Sequence, residues 1–404
     1  MESSGRARAD AGNADEGRIL TPRFADGAKW MNLPDKHVIC YLTESAGDWG
    51  GASRVLFTTL RLIDRMRFEP LVLLPSKGPV LPLLEQIGVS YVIWGRAHEP
   101  GGVARYAMDI AATLRFFRQR HVDVLHINDA NYWRPAEVLA AKLLRIPIVT
   151  HYHVVVDKPG PFIKYSDLIV AVSAFTAEAS QPKSVPKAIV HNSVILARFD
   201  QARDIRDELD LSPDDVVVSF VGQIRDIKGI DLFIRLAHAI TGPLIKFLIV
   251  GECRDPHKFP GSYTEERLRS EMGGDSRIRY VGYRADVENC YRASDVVVMP
   301  SRGGEPFGLV TIEAGACHRP VVATRDGGVP EIIQHGENGF LVDRDDLAGL
   351  VHHTMLLIGD QELRQRMGQR ARQIVEDRFT ERPVRDLELA YDRLLSSKTL
   401  LGSR

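Results

Sequence analysis

The chain has 404 residues, of which 44% are hydrophobic, 26% charged and 7% aromatic, and this composition is typical of soluble globular proteins. The length predicts two or three domains, and the composition excludes a mostly disordered or fibrous chain. The net charge of −1 argues against nucleic acid as a partner, because no long basic groove is expected.

The N-terminal stretch and the cysteines indicate the cellular compartment. Residues 1–35 contain no apolar run of the signal-peptide kind, so we expect a flexible tail there. No apolar run reaches the length of about 18 residues that a membrane-spanning helix needs. The four cysteines form no CxxC pair, which argues against a zinc site and a disulfide framework. We therefore expect a cytoplasmic protein.

From residue 36 onward, short apolar runs alternate with amphipathic stretches. The strands predicted in the first half are His37–Leu42, Pro70–Leu74, Tyr91–Trp94, Val122–Ile127, Ile146–Thr150 and Leu168–Val172. The helices predicted between them include Ala52–Met66, Val103–Arg120 and Pro135–Leu144. This alternation is typical of a parallel sheet that helices cover on both faces.

The second half repeats the alternation. Its predicted strands are Val216–Val221, Ile245–Val250, Ile278–Val281, Val296–Met299 and Pro320–Ala323. Its predicted helices are Ile230–Ile240, Glu265–Met272, Val287–Ala293, Val310–Cys317, 360–376 and 384–397. Two such sets predict an α/β fold of two Rossmann-like domains. Because ligands bind beyond the carboxyl ends of parallel strands, the two domains should face each other across a cleft.

The charge differs between the two halves. Residues 36–195 hold 18 basic and 13 acidic residues, a net charge of +5, whereas residues 196–404 hold 29 and 34, a net charge of −5. We place the domains at 36–197 and 198–380, with a final helical segment at 381–404. The arginines of the first half predict peripheral contact with anionic membranes, with an ordinary solvated surface as the alternative.

Two glycine-containing turns are candidates for phosphate binding. Gly50 and Gly51 follow the first strand and open a helix, which indicates either an anion contact or an ordinary turn. In the second half, Gly222 ends a strand, and the cations Arg225 and Lys228 follow it. This combination suits a diphosphate, and a solvated basic turn is the alternative.

The segment after Pro300 is the most informative. We expect a helix to start near Phe307, with Glu305 just before it and Glu313 two turns inside it. The early backbone N–H groups of that helix have no partners within it and can bind phosphate oxygens. They belong to Phe307, Gly308 and Leu309. Carboxylates on either side suit polyols such as a sugar and a ribose, because each can accept from two neighbouring hydroxyls.

Three histidines end strands of the first half. His126, His151 and His153 should therefore lie at its cleft edge. A histidine there can bond a substrate hydroxyl or transfer a proton, and His153 is the best candidate. We expect His151 to be structural. The nearby acidic residues form no metal-binding motif, so no metal site is predicted.

Together these segments resemble the retaining, nucleotide-sugar-dependent glycosyltransferases of family 4, which have the GT-B fold. The resemblance covers about residues 36–395, and the Glu305–Glu313 segment is its most specific part. The other matching segments are Gly50-Gly51, Thr150–His153, Ala171–Ser173, Gly222–Gly229, Gly251-Glu252, Tyr280–Gly282 and Gly327–Glu331.

The resemblance implies a role for each matched site residue. Glu305 and His153 would be catalytic, and both would approach the transferred sugar. Gln223 stands where the family usually has an arginine, and Arg225 is the candidate replacement. The other residues implied to bind the donor are Gly51, Gly222, Lys228 at the diphosphate, Phe307, Gly308, Leu309 and Glu313 at the ribose. The junction reads Asn192-Ser193-Val194-Ile195 instead of the usual Asn-Gly-Val-Asp.

The implied reaction moves a hexose-type sugar from a nucleoside-diphosphate sugar to a hydroxyl of a glycan, glycolipid or small molecule, with retention of configuration. It needs no cofactor beyond this co-substrate and no metal, and the last helix should cross back to the first domain. Two alternatives stay open, a nucleotide-sugar epimerase of the GT-B type and a non-catalytic sugar-nucleotide binding protein.

Overall fold

The computed structural model describes residues 36–46, 50–95, 103–129 and 134–402. The predicted flexible tail at 1–35 lies outside the described residues, as does the part of the predicted glycine loop at 47–49. None of the helices in these ranges is both long enough and apolar enough to cross a lipid bilayer.

The first half folds around a seven-stranded parallel sheet in the order β3-β2-β1-β4-β5-β6-β7. Its strands are β1 (His37–Leu42), β2 (Phe68–Leu74), β3 (Ser90–Ile93), β4 (Val122–Ile127), β5 (Ile148–Tyr152), β6 (Leu168–Ala171) and β7 (Lys187–Ile189). Its helices are α1 (Gly51–Leu62), α2 (Leu81–Gln86), α3 (Val103–Gln119), α4 (Pro135–Leu143) and α5 (Ala174–Ala179).

The second half folds around a six-stranded parallel sheet in the order β10-β9-β8-β11-β12-β13. Its strands are β8 (Val216–Val221), β9 (Ile245–Val250), β10 (Ile278–Gly282), β11 (Val296–Met299), β12 (Val321–Thr324) and β13 (Gly339–Val342). The helices are α6 (Leu196–Asp200), α7 (Ile230–Ala239), α8 (Glu265–Met272), α9 (Val287–Ala293), α10 (Leu309–Ala316), α11 (Leu347–Gly359), α12 (Gln361–Arg378) and α13 (Arg382–Gly402).

These sheets confirm the predicted fold class. Strand β8 shows why the apolar runs form such sheets: it reads Val-Val-Val-Ser-Phe-Val, and Val217 and Val218 are fully buried. A strand covered by helices on both faces needs apolar side chains on both. Each sheet also reverses its strand order once, between β1 and β4 and between β8 and β11. Ligands bind at such reversal points, beyond the carboxyl ends of the strands.

Helix α13 packs on the first sheet, although it follows the second one in the chain. Leu387 and Leu395 join the core formed by β1, β2 and α1. The Tyr391 hydroxyl hydrogen-bonds His126 Nδ1 over 2.7 Å and the Tyr41 hydroxyl over 3.1 Å. We call the first sheet with α1–α5 and α13 the N-terminal lobe, and the second sheet with α6–α12 the C-terminal lobe. The residue boundaries at 197 and 380 stay predictions.

We predict that Tyr391→Phe lowers the free energy of unfolding by about 1–3 kcal/mol, because it leaves buried polar atoms of Tyr41 and His126 without this partner. Urea denaturation measures the effect. Tyr283→Phe is the matched control, since Tyr283 is exposed. Equal stabilities of the two variants would show that the Tyr391 hydroxyl does not tie α13 to the lobe.

Candidate active site

Two helices direct their N termini at the same gap between the lobes. Helix α1 begins at Gly51 and α10 begins at Leu309, and a Cβ atom added to Gly51 would lie 3.4 Å from Leu309 Cδ1. Helix α10 begins at Leu309, two residues after the predicted start near Phe307 and one residue before the predicted helical segment Val310–Cys317. Gly308, just before it, has a φ of +98°, and Phe307 is buried in the core. Helix N termini carry positive partial charge and unpaired N–H groups. The gap therefore favours an anion.

Glycines allow the loops around this gap to touch. Gly229 has a φ of +75°, and a Cβ atom there would lie 2.0 Å from the Pro300 carbonyl oxygen. Gly327 has a φ of +59°, and a Cβ atom there would lie 2.0 Å from the Glu305 carbonyl oxygen. A side chain at either position would push the Glu305 loop away. These contacts place the end of β8 and the loop after β11 side by side.

The first carboxylate of the predicted pair is bound to the predicted diphosphate lysine. Lys228 Nζ lies 2.6 Å from Glu305 Oε2, and Ser301 Oγ donates to the same oxygen over 3.2 Å. The Glu305 side chain is largely buried, whereas that of Lys228 is 30% exposed. The ammonium group is therefore accessible from the cleft while the carboxylate is held in place.

The second carboxylate is bound across the cleft. Arg54 of α1 forms an ion pair with Glu313 Oε1, and the buried Tyr291 hydroxyl donates to Glu313 Oε2 over 2.8 Å. Sequence reasoning named Glu313 but missed these two partners. No local pattern could reveal them, because Arg54 lies 259 residues away in the chain.

The turn after β8 places its three other predicted residues differently from Lys228. Gly222 directly follows the strand, and its N–H donates to the Val250 carbonyl over 3.0 Å. Gln223 is exposed. The Arg225 guanidinium donates to the Pro260 carbonyl over 2.8 Å, so it is engaged with the 255–263 loop.

The three predicted histidines form one group in the N-terminal lobe, in which His126 and His151 are buried and His153 is half-buried. The His151 and His153 rings stack with centroids 4.1 Å apart, and His126 meets His151 edge-on at 5.4 Å. His153 Nε2 bonds Asn128 Oδ1 over 3.1 Å, and no described residue bonds its buried Nδ1. If Nε2 donates to the amide oxygen, Nδ1 is an acceptor for a hydroxyl.

Burial keeps these imidazoles neutral. It lowers the pKa of His126 to about 3 and that of His153 to about 4, and it lowers the pKa of His151 as well. Desolvation disfavours the charged form, and the neighbouring rings add to this effect at His126 and His151. Near pH 7 the group can accept or donate hydrogen bonds but carries no charge.

A further carboxyl group follows β1 at the edge of the N-terminal lobe. The pKa of Glu44 is raised to about 7, mainly by burial, while Arg134 lowers it and Asp129 raises it again. Arg134 is itself buried. These side chains lie beyond the ends of β1 and β4, where that sheet reverses its strand order. Sequence reasoning did not single them out, since lone charged residues after strands have no diagnostic spacing.

The lobes are also joined at a second place. The backbone N–H groups of Ala174 and Phe175, which begin α5, donate to the Glu331 carboxylate at 3.0 and 3.1 Å. His191 Nε2 lies 3.0 Å from the same carboxylate. Ser173 Oγ donates to the Pro306 carbonyl, directly beside Glu305. This second contact anchors the loop that carries Glu305 to the N-terminal lobe.

Comparison with known proteins identifies the family. Residues 49–198 match the family model described as Glycosyltransferase Family 4, and residues 201–374 match the one described as Glycosyl transferases group 1. The chain belongs to the family 4 glycosyltransferases. This is the family that the sequence resembles, most specifically in the Glu305–Glu313 segment.

Named relatives agree with this assignment, and a solved structure shares the fold. The N-acetyl-alpha-D-glucosaminyl L-malate synthase of Bacillus anthracis is 29% identical over 71% of this chain and 79% of its own. The D-inositol 3-phosphate glycosyltransferase of Corynebacterium efficiens is 28% identical over 80% and 86%. The crystal structure of Anabaena HepE with UDP and glucose is 22% identical, with a TM-score of 0.73 over 89% of this chain and 100% of that one, and shows the same GT-B fold.

The neutral histidines predict a pH dependence of stability. A histidine whose pKa is lowered by folding costs stability as the pH falls below its unfolded value of about 6.5, because only the unfolded chain takes up the proton. For His153 the cost is about 2 kcal/mol at pH 5. Between pH 7 and pH 5, the free energy of unfolding of His153→Gln should therefore fall by about 2 kcal/mol less than that of the wild type.

Urea denaturation at the two pH values measures this difference. His257→Gln is the matched control, because His257 is exposed. If the His153→Gln variant loses as much stability on acidification as the wild type, His153 is not held neutral by burial.

Proposed function

We propose that this glycosyltransferase moves a hexose-type sugar from a nucleoside-diphosphate sugar to an acceptor hydroxyl, with retention of configuration. The observation that carries the proposal is the convergence of Lys228, Glu305 and Glu313 with the N termini of α1 and α10 at one gap between the lobes. Cations and helix N termini suit a diphosphate, and the two carboxylates suit the hydroxyls on either side of it.

The leaving diphosphate sets the main chemical demand. When the bond from the sugar C1 to the phosphate oxygen breaks, negative charge develops on that oxygen. Lys228 and the first N–H groups of α10 would stabilise this charge, and groups already in place need no reorganisation. The acceptor oxygen then forms the new bond to C1, and its proton goes to the departing phosphate. Closure of the lobes excludes water, which would otherwise hydrolyse the donor.

Glu305 and His153 would hold the transferred sugar. The Glu305 carboxylate is fixed by Ser301 and Lys228, so its free lone pairs can accept sugar hydroxyls in a defined orientation. With Nε2 donating to Asn128, His153 Nδ1 would be a neutral acceptor from the N-terminal lobe. The acceptor substrate would enter on the same lobe, beside Glu44, whose pKa lies near neutrality. A carboxyl group of this kind can exchange a proton with a hydroxyl at physiological pH.

The relatives support the classes of donor and acceptor. The HepE structure contains UDP and glucose, which supports a nucleotide sugar as donor. The malate and inositol phosphate in the relatives' names support a hydroxyl group on a small molecule as acceptor. UDP, GDP and ADP are the candidate nucleotides of the donor. The proposed reaction requires no cofactor besides the sugar nucleotide and no metal, so activity should persist in EDTA.

The two alternatives differ from transfer in their products. An epimerase would return an isomerised sugar still attached to the nucleotide when incubated with donor alone. A non-catalytic binding protein would bind the nucleotide and release none from its sugar. The lysine and both glutamates are present, which favours a working enzyme over a binding protein.

A cytoplasmic location with peripheral membrane contact stays part of the proposal. The arginines that suggest it are partly neutralised within the fold: Arg67 pairs with Asp392 at 2.6 Å, and Arg65 pairs with Glu69 at 3.3 Å. Binding to anionic vesicles should therefore be weak and should decline with added salt.

A thermal-shift screen with UDP, GDP, ADP and their sugars tests the donor class, because a ligand that binds only the folded state raises its stability. One nucleotide series should stabilise the protein, and its sugar should release nucleoside diphosphate when an acceptor is present. We predict that Glu305→Gln lowers kcat by roughly 10²-fold, since the charge beside the reacting sugar is lost.

Glu337→Gln is the matched control, because Glu337 lies on the surface near Arg370 at 3.7 Å. It should leave kcat unchanged. If no nucleotide stabilises the wild type and none of its sugars is turned over, the proposed function is wrong. Unchanged turnover by Glu305→Gln would remove Glu305 from the mechanism.

A further inference from the structure

Arg54 covers the side of the Glu313 carboxylate that a ribose would contact. The Glu313 side chain is only 4% exposed, and both of its oxygens already have partners, Arg54 and Tyr291. Tyr291 is fully buried, so its side of the carboxylate is closed. Arg54 is 29% exposed and lies on the cleft side. A ribose can therefore reach Glu313 only where the guanidinium now lies.

A displaced guanidinium stays inside the gap. Arg54 belongs to the first turn of α1, and its N–H donates to the Gly50 carbonyl over 3.2 Å. The neighbouring Gly51 faces Leu309, the first residue of α10. A charge left without a partner in a closed cleft is strongly unfavourable, so the guanidinium needs another anion nearby. The diphosphate of the proposed donor is such an anion.

Among the predicted donor-binding residues of the C-terminal lobe, Lys228 alone offers a cation at the gap, whereas the donor brings two phosphates. Lys228 lies at the gap, whereas Gln223, earlier in the same turn, is uncharged and exposed. The Arg225 guanidinium is bound to the Pro260 carbonyl. A sugar nucleotide carries two negative charges on its diphosphate, so one of them is left without a cation from this lobe.

We propose that Arg54 is a donor-binding residue that exchanges partners: it leaves Glu313 when the ribose arrives and binds the diphosphate. This inference rests on the proposed function. Lys228 makes the matching exchange: it leaves Glu305 and binds the diphosphate. The two carboxylates then accept hydrogen bonds from hydroxyls of the donor, and the two cations bind its phosphates. An arginine suits this role because its planar group can bind carboxylate and phosphate with the same geometry. Since Arg54 and Glu313 lie on different lobes, the exchange makes diphosphate binding depend on closure.

The exchange predicts opposite effects on two ligands. Inorganic pyrophosphate has no ribose, so Glu313 only competes with it for Arg54. Glu313→Gln should therefore tighten pyrophosphate binding several-fold. The same variant should weaken the binding of the nucleoside diphosphate that stabilises the wild type, because the ribose loses the charge and one of the two acceptor oxygens of the carboxylate. Arg54→Ala should weaken both ligands by about tenfold or more, the value of one charge-assisted contact.

Isothermal titration of these two ligands into the wild type, Arg54→Ala, Arg54→Lys and Glu313→Gln provides the test. Arg54→Lys keeps the charge and should bind pyrophosphate more tightly than Arg54→Ala. Adding Gln223→Arg to Arg54→Ala should restore pyrophosphate binding, because it adds a cation to the turn that also carries Lys228. Urea denaturation of each variant confirms that it is folded at the titration temperature.

The results separate this inference from the function on which it rests. If the wild type binds no nucleotide and no pyrophosphate, the proposed function fails. If the wild type binds both and Arg54→Ala binds pyrophosphate equally well, the function survives and the exchange is wrong. Weaker pyrophosphate binding by Glu313→Gln would also overturn the exchange, since it would show that the ion pair supports the phosphate site rather than competing with it.

Discussion

Two ion pairs lie at the gap between the lobes of this glycosyltransferase, where helices α1 and α10 begin. Lys228–Glu305 belongs to the C-terminal lobe, whereas Arg54–Glu313 joins the two lobes. Each cation is more exposed than its carboxylate. The arrangement balances charge without a ligand, and it also holds the donor groups that a sugar diphosphate needs. An anion with hydroxyl groups on both sides can replace both internal pairs at little electrostatic cost.

The fold explains why these groups meet. Both sheets reverse their strand order next to the cleft, so the loops after β1 and β4 face those after β8 and β11. Glycines then permit contacts that any side chain would prevent, at Gly229 against Pro300 and at Gly327 against Glu305. Helix α13 returns to the N-terminal lobe and bonds His126, so the last element of the chain supports the histidines at the opposite wall. The site therefore depends on contacts between distant parts of the sequence.

Most of the fold could be predicted from the sequence. Strands such as β8 and β9 are continuous apolar runs with turns on both sides, and their bounds match the prediction. The short strand β7 was missed, because its three residues, Lys187–Ile189, show no pattern of their own. Strand β13, at Gly339–Val342, was missed as well, although it is buried. Its four residues follow a turn and are too few for periodicity to distinguish them from a loop.

The site was predicted in its parts but not in its connections. Glu305, Glu313 and Lys228 could be found because they lie at strand ends and helix starts with recognisable neighbours. The contacts of Arg54 and Tyr291 with Glu313 could not, since nothing local marks either residue. Glu331 was expected only as part of the Gly327–Glu331 loop, without its hydrogen bonds to the start of α5. The two predicted starts of α10, near Phe307 and at Val310, lie on either side of the observed start at Leu309, where the left-handed backbone of Gly308 lets the chain turn into the helix.

A crystal structure of the enzyme with an intact nucleotide sugar tests the central claim most directly. The account predicts the diphosphate between the two lobes, within hydrogen-bond distance of Lys228 Nζ and of the N–H groups that begin α10, with Glu313 facing the ribose. A diphosphate bound outside this gap, with the Lys228–Glu305 and Arg54–Glu313 pairs unchanged, would contradict it.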